Sequence, residues 1–201
     1  MSDPLPFSQA CENNRQPILE RLREVLTAPA TVLEIGAGTG QHAEYFASRL
    51  PHLHWLPTDH PDNLGMCRQR LEQADLANVE DPRGLDVGAL PWQLPAFDHA
   101  YSANTAHIMA WKEVRAMFAG IGEGLLEGGS FLLYGPFNDQ GRFTSQSNRQ
   151  FDAQLRRQHP HMGLRNLQDL ETLAADHGMS LYRNWPMPAN NRLLLFRKMS
   201  S

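Results

Sequence analysis

The sequence predicts an α/β fold: a seven-stranded, mostly parallel sheet with one antiparallel edge strand and helices on both faces. Three observations carry this expectation. Short apolar runs alternate with segments of helical periodicity through most of the 201 residues, the pattern left by helices that cross over a parallel sheet. One apolar run, Thr31 to Ile35, ends in a glycine-rich turn that opens a helix. The last two apolar runs have no helix between them, so they close the sheet as an antiparallel pair.

The elements follow in order. Pro17, Ile18, Leu19, Leu22, Val25 and Leu26 give an amphipathic N-terminal helix over 12–27, with proline in its first turn and Pro29 beyond its end. After the strand at Thr31 to Ile35 and the turn Gly36 to Gly40, Ala43, Phe46, Ala47 and Leu50 recur at helical spacing until Pro51. Leu53 to Thr58 reads as a second strand ending at Asp59, and Pro61 can open a helix carrying Leu64, Cys67, Arg68 and Leu71. A weak third strand ends near Asp86, and Phe97 to Tyr101 is the fourth. Val114, Met117, Phe118, Ile121 and Leu125 line one helix face before Gly128-Gly129, and Phe131 to Tyr134 is the fifth strand. Leu167, Leu170, Leu173 and Ala174 mark a late helix, followed by strands near Met179 to Trp185 and Arg192 to Arg197. The polar segment 138–165 exceeds an ordinary connection, as lids and linkers do, and a helix is expected within it near Asn148 to Arg157.

A length of 201 residues with 41% hydrophobic and 20% charged residues fits a single globular domain over 1–201 and excludes a disordered chain. The formal charge of -4 gives no global pull toward nucleic acid or anionic membrane, so a small-molecule substrate is expected and no nucleic-acid partner. No apolar run approaches a membrane span, and Met1 to Ala10 carries no apolar core of a secretory leader. Two cysteines without CxxC spacing suggest neither a disulfide framework nor a zinc site. The expected location is the cytoplasm. His52-x-His54 and His159-x-His161 lack nearby cysteines or paired acids, so no metal is assigned.

A glycine turn between strand and helix lets backbone approach a ligand closely, and the helix start turns unpaired N–H groups outward. The dinucleotide pattern G-x-G-x-x-G places glycine or alanine sixth, where this chain has Gln41; its spacing is G-x-G-x-G. Asp59, at the end of the second strand, is placed to accept hydrogen bonds from both hydroxyls of a ribose. Asp62 is the alternative for that position, although it also suits a helix start.

The stretch Glu34-Ile35-Gly36-Ala37-Gly38-Thr39-Gly40 resembles the first motif of class I S-adenosylmethionine-dependent methyltransferases, whose sheet is Rossmann-like. Ser102-Ala103-Asn104-Thr105-Ala106-His107-Ile108, Tyr134-Gly135-Pro136-Phe137, Cys11-Glu12-Asn13-Asn14-Arg15-Gln16-Pro17-Ile18-Leu19, Thr144-Ser145-Gln146-Ser147-Asn148 and Gly163-Leu164-Arg165 are similar to domain-of-unknown-function family 938, related to methyltransferase-like protein 26. The resemblance covers nearly the whole chain. It implies that S-adenosylmethionine is the cofactor and that Glu34, Gly36, Ala37, Gly38 and Gly40 hold its methionine and ribose portions. It further implies that Asp59 holds the ribose, that Asp86 and the Val87 N–H hold adenine, and that Asn104 lies beside the cofactor. Asp86 equally suits a turn cap between Gly84 and Gly88. The family implies no established substrate.

A sulfonium methyl is already electrophilic, so such an enzyme mainly aligns its acceptor and excludes water. If the acceptor must lose a proton, His107 is the first candidate for a base, three residues beyond Asn104; a histidine hydrogen-bonded at a helix start is the alternative. Tyr134, Pro136 and Phe137, at the end of the fifth strand, are candidates for the acceptor pocket, with ordinary strand packing as the alternative for Tyr134. Asn104 is not followed by Pro-Pro-Tyr, which removes support for amide or adenine N-methylation. Arg142, Arg149, Arg156, Arg157 and Arg165 either recognise an anionic group or form a solvated surface. The reading is methyl transfer to a small acceptor, with a non-catalytic S-adenosylmethionine-binding regulator as the alternative and a nucleotide-dependent oxidoreductase disfavoured by Gln41.

Overall fold

The structure, a computed structural model, describes residues 5–200. Met1 to Pro4, part of the segment expected to lack a secretory leader, and Ser201 lie outside the described residues. The chain, expected as one domain, divides into two compact units, Met1–Asp86 and Val87–Ser201.

In the first unit, helix α1 spans Gln9–Val25 rather than 12–27. The shift has a local cause: Ser8 caps the helix, its hydroxyl accepting from the Cys11 N–H, and Leu26 leaves helical geometry ahead of Pro29. Strand β1 (Ala30–Ile35) leads through the glycine turn into α2 (Gln41–Ala47). Strand β2 (Leu53–Asp59) is followed by a single 3-10 turn at Pro61–Asn63, then α3 (Leu64–Ala74) and a two-residue β3 (Arg83–Gly84). The core is built from Ile18, Leu22, Val32, Leu33, Ala43, Phe46 and Trp55, all buried. Phe46 and Trp55 meet with ring centroids 5.8 Å apart.

In the second unit, β4 (Phe97–Ala103) leads to α4 (Trp111–Gly124), whose first turn is closed by the Glu113 carboxylate accepting from the Ala110 N–H at 2.6 Å. Strand β5 (Leu125–Gly135) runs directly on from α4 and is longer than expected. The polar segment contains β6 (Phe137–Asn138), α5 (Gln146–Gln158) and β7 (Arg165–Asn166). Helix α6 (Leu167–Asp176) precedes β8 (Met179–Met187) and β9 (Asn191–Lys198). Phe118, Phe131 and Phe196 form the centre of this core, with ring centroids 5.3, 5.5 and 5.9 Å apart. Edge-to-face and offset contacts of this kind favour one packing arrangement over its alternatives.

Seven strands form one sheet in the order β3-β2-β1-β4-β5-β9-β8; β6 and β7 make a separate parallel pair. Strand β9 is antiparallel to both β5 and β8, which gives the sheet its antiparallel edge pair. The α/β architecture with a mostly parallel seven-stranded sheet is therefore the one the sequence predicts. Among the described residues no helix is long and apolar enough to cross a membrane.

Candidate functional site

In the first unit the glycine turn is held from below by one carbonyl. The Gly36 and Ala37 N–H groups both donate to the Thr58 oxygen at 2.9 Å, and the Thr58 hydroxyl donates to the Glu34 oxygen at 2.6 Å. Gly36, Gly38 and Gly40 adopt φ values of 77°, 56° and 76°, the left-handed region in which a side chain is strained. Two of them have distinct surroundings. A Cβ at Gly40 would lie 3.2 Å from the Cys67 sulfur, whereas one at Gly38 would meet nothing within 4 Å. The turn is thus packed on α3 at Gly40 and open at Gly38.

Asp59 stands at the end of β2 and faces this turn. Its Oδ2 accepts from the Gly38 N–H at 2.7 Å, while Oδ1 accepts from the His60 N–H at 2.7 Å and the Asn63 amide at 3.1 Å. An ionised carboxylate has about four acceptor positions, so the group is oriented by three bonds without being saturated. Asp62, the alternative, is 87% exposed at its side chain and close to His60, away from these contacts. Asp86 is exposed at the end of the first unit.

Glu34 occupies a different environment. It is 2% exposed and accepts from the Trp55 indole N–H at 2.7 Å. Burial raises its pKa to about 7, against the lowering effect of the Trp55 bond, with the nearby Asp59 charge adding to the rise. Of the five expected turn residues, Glu34 therefore braces the strand interior, while Gly38 presents the open surface. Gln41, which breaks the dinucleotide pattern, binds the chain upstream: it accepts from the Ser8 N–H at 2.5 Å and its amide donates to the Ser8 oxygen at 3.3 Å. The adjacent His42 is 4% exposed, with Nε2 2.6 Å from the Asn14 amide oxygen, and desolvation lowers its pKa to about 4.

In the second unit, Val87 is half-buried and its carbonyl accepts from the Trp92 indole at 3.2 Å. Asn104 follows β4 with a left-handed φ of 58°, and its N–H donates to the Tyr134 oxygen at 2.9 Å. A non-glycine residue in this region is held there by its surroundings, here by the end of β5. His107 is 7% exposed, meets Phe151 edge-on at 5.2 Å, and has its pKa lowered to about 4, first by desolvation and then by the Arg165 charge. Tyr134, Pro136 and Phe137 are all buried.

The arginines of the polar segment divide. Arg165 spans the chain after β4, donating through Nε to the Ala106 oxygen at 2.9 Å and through Nη2 to the Met109 oxygen and the His161 oxygen, the latter at 3.0 Å. Arg156 grips Asp152 at 2.7 Å, and Asp152, 5% exposed, also accepts from the Leu164 N–H at 2.8 Å. These two build the fold. Arg142, Arg149 and Arg157 are exposed. The bracing role of Arg165 was not legible from its neighbours in sequence, since its carbonyl partners lie as many as 59 positions away. Trp55 and Thr58 were likewise missed, since neither the strand register nor the burial of Glu34 can be read from the sequence. No group of three or more metal-binding side chains occurs among the described residues.

A family model described as "Protein of unknown function (DUF938)" matches residues 5–198. Among solved structures, an O-methyltransferase family protein from Burkholderia thailandensis superposes with a TM-score of 0.80 at 19% identity, over 92% of this chain and 56% of that one. An O-methyltransferase family 2 protein from Planctomyces limnophilus, in complex with apigenin, gives a TM-score of 0.79 at 17% identity, over 93% and 57%. Human N-acetylserotonin methyltransferase, in complex with SAM, gives 0.72 at 21%, over 92% and 55%. The chain spans a little over half the length of each, and what the three share with it is the α/β fold.

Proposed function

From the premise that this chain belongs to the DUF938 family of proteins of unknown function, we propose that it is an S-adenosylmethionine-dependent methyltransferase acting on a small-molecule acceptor in the cytoplasm. Within the family we place it near methyltransferase-like protein 26. The observation that carries the proposal is the pairing of an open glycine turn with an oriented acid: Gly38 has no neighbour within 4 Å of where a side chain would begin, and its N–H fixes the Asp59 carboxylate at 2.7 Å. A ribose with two adjacent hydroxyls fits that carboxylate, and the methionine portion fits a turn surface without side chains. Gly36, Ala37, Gly38 and Gly40 supply the turn, Glu34 positions it from beneath, and Asp86, Val87 and Asn104 are assigned to the adenine and the neighbouring part of the cofactor.

S-adenosylmethionine supplies, when bound, a methyl group on a positively charged sulfur. The chain's own residues orient the acceptor and take its proton. His107, neutral at pH 7, has a nitrogen lone pair for a proton released by a hydroxyl acceptor. A pKa of about 4 makes it a weak base, yet a hydroxyl oxygen that has gained a methyl becomes strongly acidic, so a weak base suffices once transfer is under way. Tyr134, Pro136 and Phe137 are assigned to the walls of the acceptor site.

Calorimetry with S-adenosylmethionine, S-adenosylhomocysteine and NAD tests the cofactor, and NAD binding without either adenosyl ligand overturns the proposal. Turnover of the methyl donor across a panel of small acceptors tests the enzyme. Binding without turnover would favour the regulatory alternative.

A further inference from the structure

We propose that Gly135, His107 and Phe137 form a subsite for a neutral hydroxyl carried on an apolar ring. Calling its occupant the methyl acceptor rests on the proposed function; the subsite itself stands on the second unit alone.

Gly135 ends β5 with a φ outside the left-handed region, so backbone strain does not require glycine there. Close packing does not require it either. A methyl group added at Gly135 would lie 3.6 Å from Phe137 Cζ and 3.8 Å from His107 Nδ1, both ordinary van der Waals distances. Gly120 is the contrast, because a side chain there would overlap the Trp92 indole. The glycine at 135 therefore leaves a methyl-sized opening bordered by an aromatic edge and an imidazole nitrogen.

The imidazole is available to what enters. Among the described residues neither ring nitrogen of His107 has a hydrogen-bond partner, although the residue is only 7% exposed. The turn around it is fixed by other groups: the Ser102 and Thr105 hydroxyls lie 2.6 Å apart, and the Ile108 and Met109 N–H groups donate to the Thr105 oxygen at 3.0 and 3.1 Å. The main-chain oxygen of His107 accepts from the Gly163 N–H at 2.9 Å, which holds the residue and leaves its ring uncommitted. A mostly buried ring without protein partners is free to bond water or a ligand that displaces it.

The ligand's chemistry follows from the ring. At Nδ1, the nitrogen beside the opening, a hydroxyl can either accept from an N–H or donate to a lone pair, so it suits both tautomers of the neutral ring. A carboxylate only accepts and an ammonium only donates, and either would carry a charge into a site bordered by Phe137 and Phe151. Arg165, the nearby cation, uses Nε and Nη2 on the Ala106, Met109 and His161 carbonyls, so the paired Nε and Nη2 edge is not open to clamp a carboxylate. Phe137 beside the opening and Phe151 against the imidazole suit a flat apolar group over a polar one.

The test uses the full chain and three probes of similar size: benzyl alcohol, benzoate and benzylammonium. His107 ring resonances, identified by their loss in His107→Gln, are followed by NMR. Benzyl alcohol is expected to shift them and the two ions are not. Gly135→Val is expected to weaken benzyl alcohol binding by about tenfold or more, the scale of a lost contact and hydrogen bond, while S-adenosylhomocysteine binds as before. Should Gly135→Val fail to fold, Gly135→Ala, whose methyl fits without overlap, is read instead and is expected to weaken binding severalfold. Unmoved His107 signals, equal shifts from either ion, or unchanged benzyl alcohol binding in the folded glycine variants would overturn the subsite. Absence of adenosyl-ligand binding with benzyl alcohol still seated at His107 would instead overturn the methyl-transfer reading and leave the subsite standing.

Discussion

The Trp55 indole N–H donates to the Glu34 carboxylate at 2.7 Å inside the first unit, and this bond ties the base of the glycine turn to β2. It is made by a carboxyl group that burial pushes toward its neutral form. The strand beneath the turn is therefore tied to β2, whereas the turn above it is open at Gly38.

Glu34→Gln follows from that bond. The folded-state pKa of Glu34 is raised to about 7, so its favourable protonated state is fully present below the unfolded carboxylate value and lost as pH rises through 7. Glutamine keeps an acceptor for Trp55 and removes the titration. The variant is expected to match the wild type near pH 4 and to exceed it above pH 7 by up to about 3 kcal/mol, at about 1.4 kcal/mol per unit of pKa. Chemical denaturation across this range is the measurement; a constant difference between the two proteins would exclude Glu34 as its source.

Asp59→Ala removes an acceptor oriented by the Gly38 N–H. Hydrogen bonds to a charged group contribute about 1.5–3 kcal/mol, so S-adenosylhomocysteine should bind roughly 10- to 100-fold more weakly. Asp62→Ala, at an exposed side chain, should leave the constant unchanged. Equal losses in both variants, or none in either, would take Asp59 out of the ribose role.

His42 and His107 act on stability with the opposite sign to Glu34. Both have pKa values lowered to about 4, chiefly by burial, so they contribute stability that is present above the ordinary histidine value of about 6.5 and lost as pH falls through 4. Their NMR titrations should have midpoints near 4, well below those of exposed histidines. A midpoint near 6.5 for His107 would show that its ring is solvated.

Asp152→Asn should loosen the polar segment without touching the glycine turn. The carboxylate is 5% exposed and accepts from both Arg156 and the Leu164 N–H. Its neutralisation is expected to cost on the order of 1–3 kcal/mol. Faster hydrogen exchange at Leu164, with adenosyl-ligand affinity retained, is the expected signature; unaltered protection would mean that the segment is held by other contacts.

Much of the fold was legible because its signals are local. The apolar runs of Val32, Leu33 and Ile35 and of Phe131 to Leu133 became buried strands, and the glycines at 36, 38 and 40 became the left-handed turn. Boundaries were less legible. Helix α1 starts earlier because the Ser8 hydroxyl caps it, and the weak third strand shrinks to Arg83–Gly84 because only those residues pair with Thr58 and Asp59. The arginines could not be sorted by sequence, since whether a guanidinium faces solvent or a distant carbonyl depends on which loop packs beside it.

The sequence by itself determined the order of strands and helices, the glycine turn and the acid at the end of β2, because periodicity and backbone freedom are properties of neighbouring residues. Only the tertiary structure decided that Glu34 is buried against Trp55, that Asp59 is steered by Gly38, and that His107 lies beside the opening left by Gly135. Those relationships join residues 21 or more positions apart, and they set ionisation and accessibility through burial, which arises only when the chain has packed.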